Sequence, residues 1–197
     1  HLAKAIEAAN HYPSVYRISK LTLLPKRAIF SLSAIPKILE RLFYSAFQRN
    51  IETDYKEKGD PLQMAYESGR GVVSCNAITL AEVEKSLENG KPAVQVYMDL
   101  RKAFNKVNRY TAIKQMHKIC GAGLLLSSWF KDRVYKFGEQ VRGHEFNCGV
   151  PAGTLLGVAL FKVFIVTDRA LTAFNKSLLW ASGYSDDRSP LCDVTNI

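Results

Sequence analysis

The sequence has no hydrophobic run long enough to cross a bilayer. Its longest, Leu155 to Val166, is interrupted by Lys162 and falls short of a span, so no membrane partner is expected. Cysteine is sparse. Cys75, Cys120, Cys148 and Cys192 lie far apart with no CxxC pair, which excludes a disulfide scaffold. His1, His11, His117 and His144 form no ligand ladder, and His144 with Cys148 is a lone pair that makes no zinc site. Four reduced or buried thiols in an intracellular protein, nuclear or cytoplasmic, are expected. There is no low-complexity linker, no internal repeat and no apolar leader after His1-Leu2-Ala3-Lys4. The missing initiator methionine points to an excised fragment or a processed chain. Acid is in short supply too: 18 Asp and Glu face 27 Lys and Arg, a formal charge of +9. A polyanionic partner is one reading of that excess, and a solvated face serving solubility is the other. Between Arg17 and Arg49 the only acid is Glu40.

What is present suits a folded chain. With 47% hydrophobic and 23% charged residues over 197 positions, the chain can bury the core of one large domain or two small ones. Residues 1–10 read as a short helix ended before Pro13, and 15–32 as two strands with a turn. Ile35, Ile38, Leu39, Leu42, Phe43, Ala46 and Phe47 recur at helical spacing, with Ser33 as N-cap and Pro36 in the first turn. Residues 52–62 read as a mobile loop. A helix over 75–88 ends at Asn89-Gly90, and Ala93 to Leu100 reads as a buried strand. Helices are expected over 108–119 and 124–131, then a hairpin from Arg133 to Phe146 turning near Gly138. A tight loop, Gly149 to Gly153, opens a helix over 154–174. Leu178 to Tyr184 reads as a strand, Ser185-Asp186-Asp187 as a turn, and a return strand follows. This order predicts an α+β fold with helices on one face of an antiparallel sheet.

Three carboxylates sit where a core would not want them. Asp99 follows Val94-Gln95-Val96-Tyr97-Met98, and Asp186 and Asp187 follow a strand. A strand built for burial that delivers an acid must give it a partner, and adjacent carboxylates repel unless a cation or water screens them. Gathered at strand ends, they suit a divalent cation with oxygen ligands, Mg2+ by default. The other reading is ordinary turn chemistry.

These residues also carry a resemblance. Tyr184-Ser185-Asp186-Asp187 resembles the YxDD signature of reverse transcriptases. Val96 to Val107 (VYMDLRKAFNKV) is similar to their F-x-D-L-x-K-A-F-D-x-V segment, and Gly149 to Gly157 (GVPAGTLLG) to G-V-P-Q-G-S-x-L-G. Leu21-Thr22-Leu23-Leu24-Pro25-Lys26, Arg27 to Leu32, Lys37-Ile38-Leu39-Glu40 and Gln63 to Arg70 resemble the fingers of the non-LTR retroelement enzymes. The motifs fall in the family's order over about residues 18–190.

The resemblance implies a right-hand polymerase with fingers over 1–90 and a palm over 91–197, the thumb absent. It implies an RNA-directed DNA polymerase that transfers deoxynucleotides to a primer 3′-hydroxyl on an RNA template. Asp99, Asp186 and Asp187 would hold two Mg2+ ions, with Mn2+ as a substitute. Phe104 would exclude a ribose 2′-hydroxyl sterically, its alternative being a core aromatic. Arg27 would contact the triphosphate of the incoming dNTP, its alternative being a surface Arg. Gly149, Pro151 and Gly153 would lie beneath the nucleotide, where a helix N-terminus favours negative charge, or would be an ordinary turn. Arg17, Lys20, Lys26 and Arg70 are the expected nucleic-acid contacts.

The sequence departs from the pattern at Ala152 for Gln, Asn105 for Asp, Ala28 for Pro and Val158 for Pro. With no room for a thumb, apolar palm surface is left for a partner chain or a thumb to cover. A second reading is therefore a catalytically silent, retroelement-derived domain that binds RNA or protein. A third, an RNA-dependent RNA polymerase, conflicts with Phe104.

Overall fold

The computed structural model describes residues 1–24, 27–58, 62–91, 93–100, 102–131, 133–137, 140–143, 148–165, 180–184 and 187–193. They form two compact units, neither of them a continuous stretch: residues 1–57 with 102–165, and residues 58–101 with 166–197. A cut at residue 90 passes through the second unit, between its helix and its first strand.

The first unit holds β1 (Ile18–Leu24), β2 (Arg27–Leu32), β5 (Val134–Phe137) and β6 (Gln140–Gly143) in the order β2-β1-β5-β6. The β1/β5 pair is parallel and the other two are antiparallel. Helices α1 (Leu2–Ala9), α2 (Ala34–Lys58), α4 (Ala103–Lys106), α5 (Arg109–Cys120), α6 (Gly123–Phe130) and α7 (Leu155–Ile165) complete it. α5 packs on α6 and α7, where Met116, Leu126, Trp129, Leu156 and Leu160 are buried. Gly138, the expected turn, lies outside the described residues, as do 166–179.

Two expectations are corrected in α2. The helix runs to Lys58, through most of the segment expected to be a loop. Ile51 and Tyr55 repeat the four-residue step from Phe47 and are buried, so packing continues the helix, and Glu and Lys favour it locally. The buried face is also not the expected one. Pro36, Leu39, Glu40, Phe43 and Phe47 turn inward, while Ile35, Ile38 and Leu42 are exposed. The seven apolar positions cover too wide an arc for one contact, and one edge of that arc, which Ala46 shares, is left out.

The second unit holds α3 (Val72–Glu88), β3 (Ala93–Gln95), β4 (Met98–Asp99), β7 (Trp180–Tyr184) and β8 (Asp187–Asp193). β8 is central. β7 pairs along one side of it, and β3 and β4 pair along the other, all antiparallel. α3 lies against β7 and β3.

The strand expected over Ala93 to Leu100 is thus two short pieces in one register, interrupted at Val96 and Tyr97. Continuing that register puts Pro190 opposite Val96, and a proline has no N–H to give to the ladder. Nor is this segment buried: Val94, Val96, Tyr97, Met98 and Leu100 are all exposed.

Candidate active site

β4 is only two residues long, yet its register is decisive. Met98 pairs with Arg188 and Asp99 with Asp187. Asp187 is also the partner of Tyr184 across the β7–β8 connection. Cross-strand partners in an antiparallel ladder share one face, with Cα atoms about 4.5–5.5 Å apart. Two of the three positions expected to hold metal, distant in sequence, are therefore cross-strand partners, and Asp99 is exposed. Asp186 and the side chain of Asp187 lie outside the described residues. Among the described residues no cluster of three or more His, Cys, Asp or Glu side chains is poised for a metal. The paired positions still fit a hard divalent cation, which asks for carboxylate oxygens open to water and to substrate phosphates.

In the first unit, the segment after the first Asp motif and the Gly149–Gly153 loop are built as one piece. Gly149 N–H donates to the Val107 carbonyl at 2.7 Å and Val150 N–H to the Phe104 carbonyl at 2.8 Å. Arg109 Nε donates to the Gly149 carbonyl at 2.6 Å. Gly149 has φ +85°, and a Cβ there would stand 2.7 Å from the Asn105 carbonyl oxygen. Phe104 is half-buried and stacks on Phe161 of α7, with ring centroids 4.3 Å apart and planes within 10°.

Beyond the loop, Thr154 caps α7. Its Oγ1 accepts from Gly157 N–H at 3.1 Å and donates to the Pro151 carbonyl at 2.9 Å. Pro151 is buried, whereas Gly153 is exposed with φ +97°. A cleft of about 520 Å3 opens here, lined by Lys37, Arg41, Tyr44 and Gln48 of α2 and by Gly153 and Leu155. Glu40 and Thr154 line it as well, so two cations and one acid of α2 meet at the start of α7.

The basic residues divide. Lys20 is exposed, and its partner Lys136 on β5 is exposed beside it. Arg70 is exposed, with its Nη1 4.0 Å from Met64 Sδ. Lys26 and the side chain of Arg27 lie outside the described residues; Arg27 opens β2 opposite Leu24. Arg17 corrects the expectation of a nucleic-acid contact. It is buried, its Nε donates to the Tyr12 carbonyl at 2.9 Å, and its Nη1 donates to the Lys131 carbonyl at 3.0 Å. Its charge ties chain segments together and does not reach the surface.

Sequence reasoning missed one residue of this region. Glu40 is buried and reaches the start of α7, where its Oε2 accepts from Leu155 N–H at 2.9 Å. The signal was its being the lone acid of a basic stretch, on a face shared with Leu39 and Phe43. Cys75, Cys120 and Cys148 form no disulfide. Burial, and secondarily Asp54, pushes the Cys120 thiol up to about 11, which keeps it protonated and unreactive.

Known proteins agree with this architecture. Residues 26–192 match the family model of the reverse transcriptase (RNA-dependent DNA polymerase). The apo telomerase of Candida tropicalis, truncated from its C-terminal domain, superposes with a TM-score of 0.64 at 12% identity, over 99% of this chain and 48% of that one. Telomerase of Candida albicans, in complex with a fragment of telomeric RNA, gives 0.61 at 11% identity, over 99% and 42%. A partial Cas6-RT-Cas1–Cas2 complex gives 0.55 at 15% identity, over 97% and 32%. These likenesses show the fold, that of reverse-transcriptase fingers and palm, and the chain spans half or less of each structure's length. No curated protein matches the sequence significantly. The chain belongs to the reverse transcriptase family.

Proposed function

We propose that this chain is the fingers–palm part of an RNA-directed DNA polymerase of a retroelement, working in the nucleus or cytoplasm. The observation that carries the reading is the pairing of Asp99 with Asp187 in a family whose members use divalent metals. Asp99, Asp186 and Asp187 would hold two Mg2+ ions, which when bound favour the deprotonated primer hydroxyl and neutralise the leaving pyrophosphate. The chain's own residues do the rest. Phe104, held by Phe161, sets the floor under the sugar and excludes a 2′-hydroxyl. Gly149, Pro151 and Gly153 bring backbone close to the nucleotide, and Arg27 takes its triphosphate. Lys20, Lys26 and Arg70 take primer–template phosphates.

Extension of a DNA primer on an RNA template with dNTPs and Mg2+ tests this. Incorporation by the wild-type protein and its loss in Asp186→Asn are expected. Undiminished incorporation in that variant would refute the metal role.

The second reading, a silent domain that binds RNA or another protein, is favoured by Ala152 and by the exposed apolar side chains Val94, Val96, Tyr97, Met98 and Leu100 around Asp99. A partner chain or a thumb would cover them. RNA binding that ignores Mg2+, without extension, would support it.

A further inference from the structure

Around Glu40 the first unit holds a buried polar knot that no step above uses. Glu40 is 1% exposed and Arg133 3%. Glu40 Oε1 lies 3.8 Å from Arg133 Nη2. Arg133 in turn donates from Nε to the Trp129 carbonyl at 3.1 Å and from Nη1 to Ser19 Oγ at 3.0 Å, and its guanidinium lies 3.9 Å over the Trp129 ring. Tyr12 also feels the Glu40 charge. One carboxylate thereby joins α2, the end of α6, β1 and α7.

The first N–H groups of a helix have no partner within the helix and carry partial positive charge. In α7 all three leading amides are already answered. Leu155 and Leu156 donate to Glu40 Oε2 at 2.9 and 3.5 Å, and Gly157 donates to Thr154 Oγ1. This corrects the expectation that the helix end is open to a phosphate: the chain fills it with its own anion.

We infer that Glu40 is a positioning residue for the Gly149–Gly153 loop, serving as the internal anion of the α7 N-terminus and so fixing Thr154 and the Pro151 carbonyl that Thr154 holds. The loop's service to a nucleotide rests on the proposed function, whereas the clamp stands on contacts within the first unit. Burial pushes the Glu40 carboxyl up to about 6, against Arg133 and the two amides, so its charge changes in an accessible range.

Amide exchange and amide shifts of the 197-residue chain test the clamp. Glu40→Ala is expected to lower protection of the Leu155 and Leu156 amides roughly tenfold relative to α5 and α6, and added formate to restore it saturably. In the wild type the same two amide shifts titrate with a midpoint near 6, and in Glu40→Gln they do not. Unchanged protection in Glu40→Ala, or no titration in the wild type, overturns the inference. Protection that is lost but not restored by formate assigns the loss to packing and also overturns it. Should Glu40→Ala fail to fold, Glu40→Asp keeps the charge beside Arg133 but falls a methylene short, and must show the same local loss; full protection in it counts against the clamp. A chain that extends no primer would fail the proposed function and leave these amide readings intact.

Discussion

Asp99 of β4 faces Asp187 of β8 across an antiparallel ladder, and the strand that presents Asp99 is only two residues long. Acidic residues at opposed positions of a sheet work against the pairing, so a bound cation would relieve that cost. Mg2+ is therefore expected to raise the thermal midpoint of the wild-type protein. Asp99→Asn and Asp187→Asn should each lose that rise and cut dNTP incorporation at least about a hundredfold. Scanning calorimetry with and without Mg2+ reads the first and primer extension the second. A full Mg2+ shift in both variants would remove the metal from this site.

Gly149→Ala should be costly although it adds a single methyl group. The φ of +85° disfavours any L side chain, and the new Cβ would press on the Asn105 backbone, which cannot swing aside. A loss of about 1–3 kcal/mol is expected, measured by urea denaturation. Gly153, at φ +97° but exposed, should cost less when changed to Ala, and the difference between the two isolates the contact with Asn105.

Phe104 joins structure and selectivity. Its ring stacks on Phe161 at 4.3 Å and is half-buried, so Phe104→Ala should destabilise by about 2 kcal/mol. A ring that also gates the sugar should, when removed, narrow the preference for dNTPs over rNTPs in primer extension, while Phe104→Tyr keeps both the stack and the preference. A preference untouched by Phe104→Ala would leave the ring as core packing alone.

Arg17 and Lys20 stand three residues apart and should behave oppositely. Arg17→Met removes a buried cation that holds the Tyr12 and Lys131 carbonyls and should cost about 2–4 kcal/mol. Lys20→Ala should leave stability unchanged within about 0.5 kcal/mol. If the outer face of the β1–β5 pair meets phosphates, Lys20→Ala with Lys136→Ala should shallow the salt dependence of RNA binding by about one unit per residue. Equal RNA affinity and salt slope in the double variant would place the nucleic acid elsewhere.

Most elements were legible because their residues argue locally. Gly90 at φ +66° and Gly121 at φ +70° end their helices, and Asn108 caps α5 through its bond from Thr111 N–H at 3.0 Å. What was not legible depended on contacts distant in sequence. The extension of α2 to Lys58 rests on burial of Ile51 and Tyr55, the latter under Lys162 of α7. The break at Val96 and Tyr97 comes from a proline some ninety positions on. At the site, the three Asp residues could be named from the motifs, but only the register shows that positions 99 and 187 pair. Glu40 could be noticed in the sequence as an isolated acid; that it serves α7 needed the fold.

The pH dependence of stability offers a test of Glu40 that ignores both ligand and loop. Folding takes its carboxyl from an ordinary 4.5 to about 6, chiefly because burial penalises the charge more than Arg133 and the α7 amides repay. The native state thus binds this proton more tightly than the unfolded chain does. The stabilisation is fully present below about pH 4.5, declines as pH rises through the window to about 6, and is absent above it. Its size is on the order of 2 kcal/mol. Glu40→Gln cannot release a proton, so it should resemble the protonated wild type at every pH. The stability gap between wild type and variant should therefore be most favourable to the wild type near pH 4.5 and move toward the variant by that amount as pH reaches 7. Urea midpoints across this range read the gap directly, and other carboxylates cancel in the difference. Parallel curves for the two proteins would mean that Arg133 and the α7 amides offset the burial of the Glu40 carboxyl in full, and would overturn this prediction.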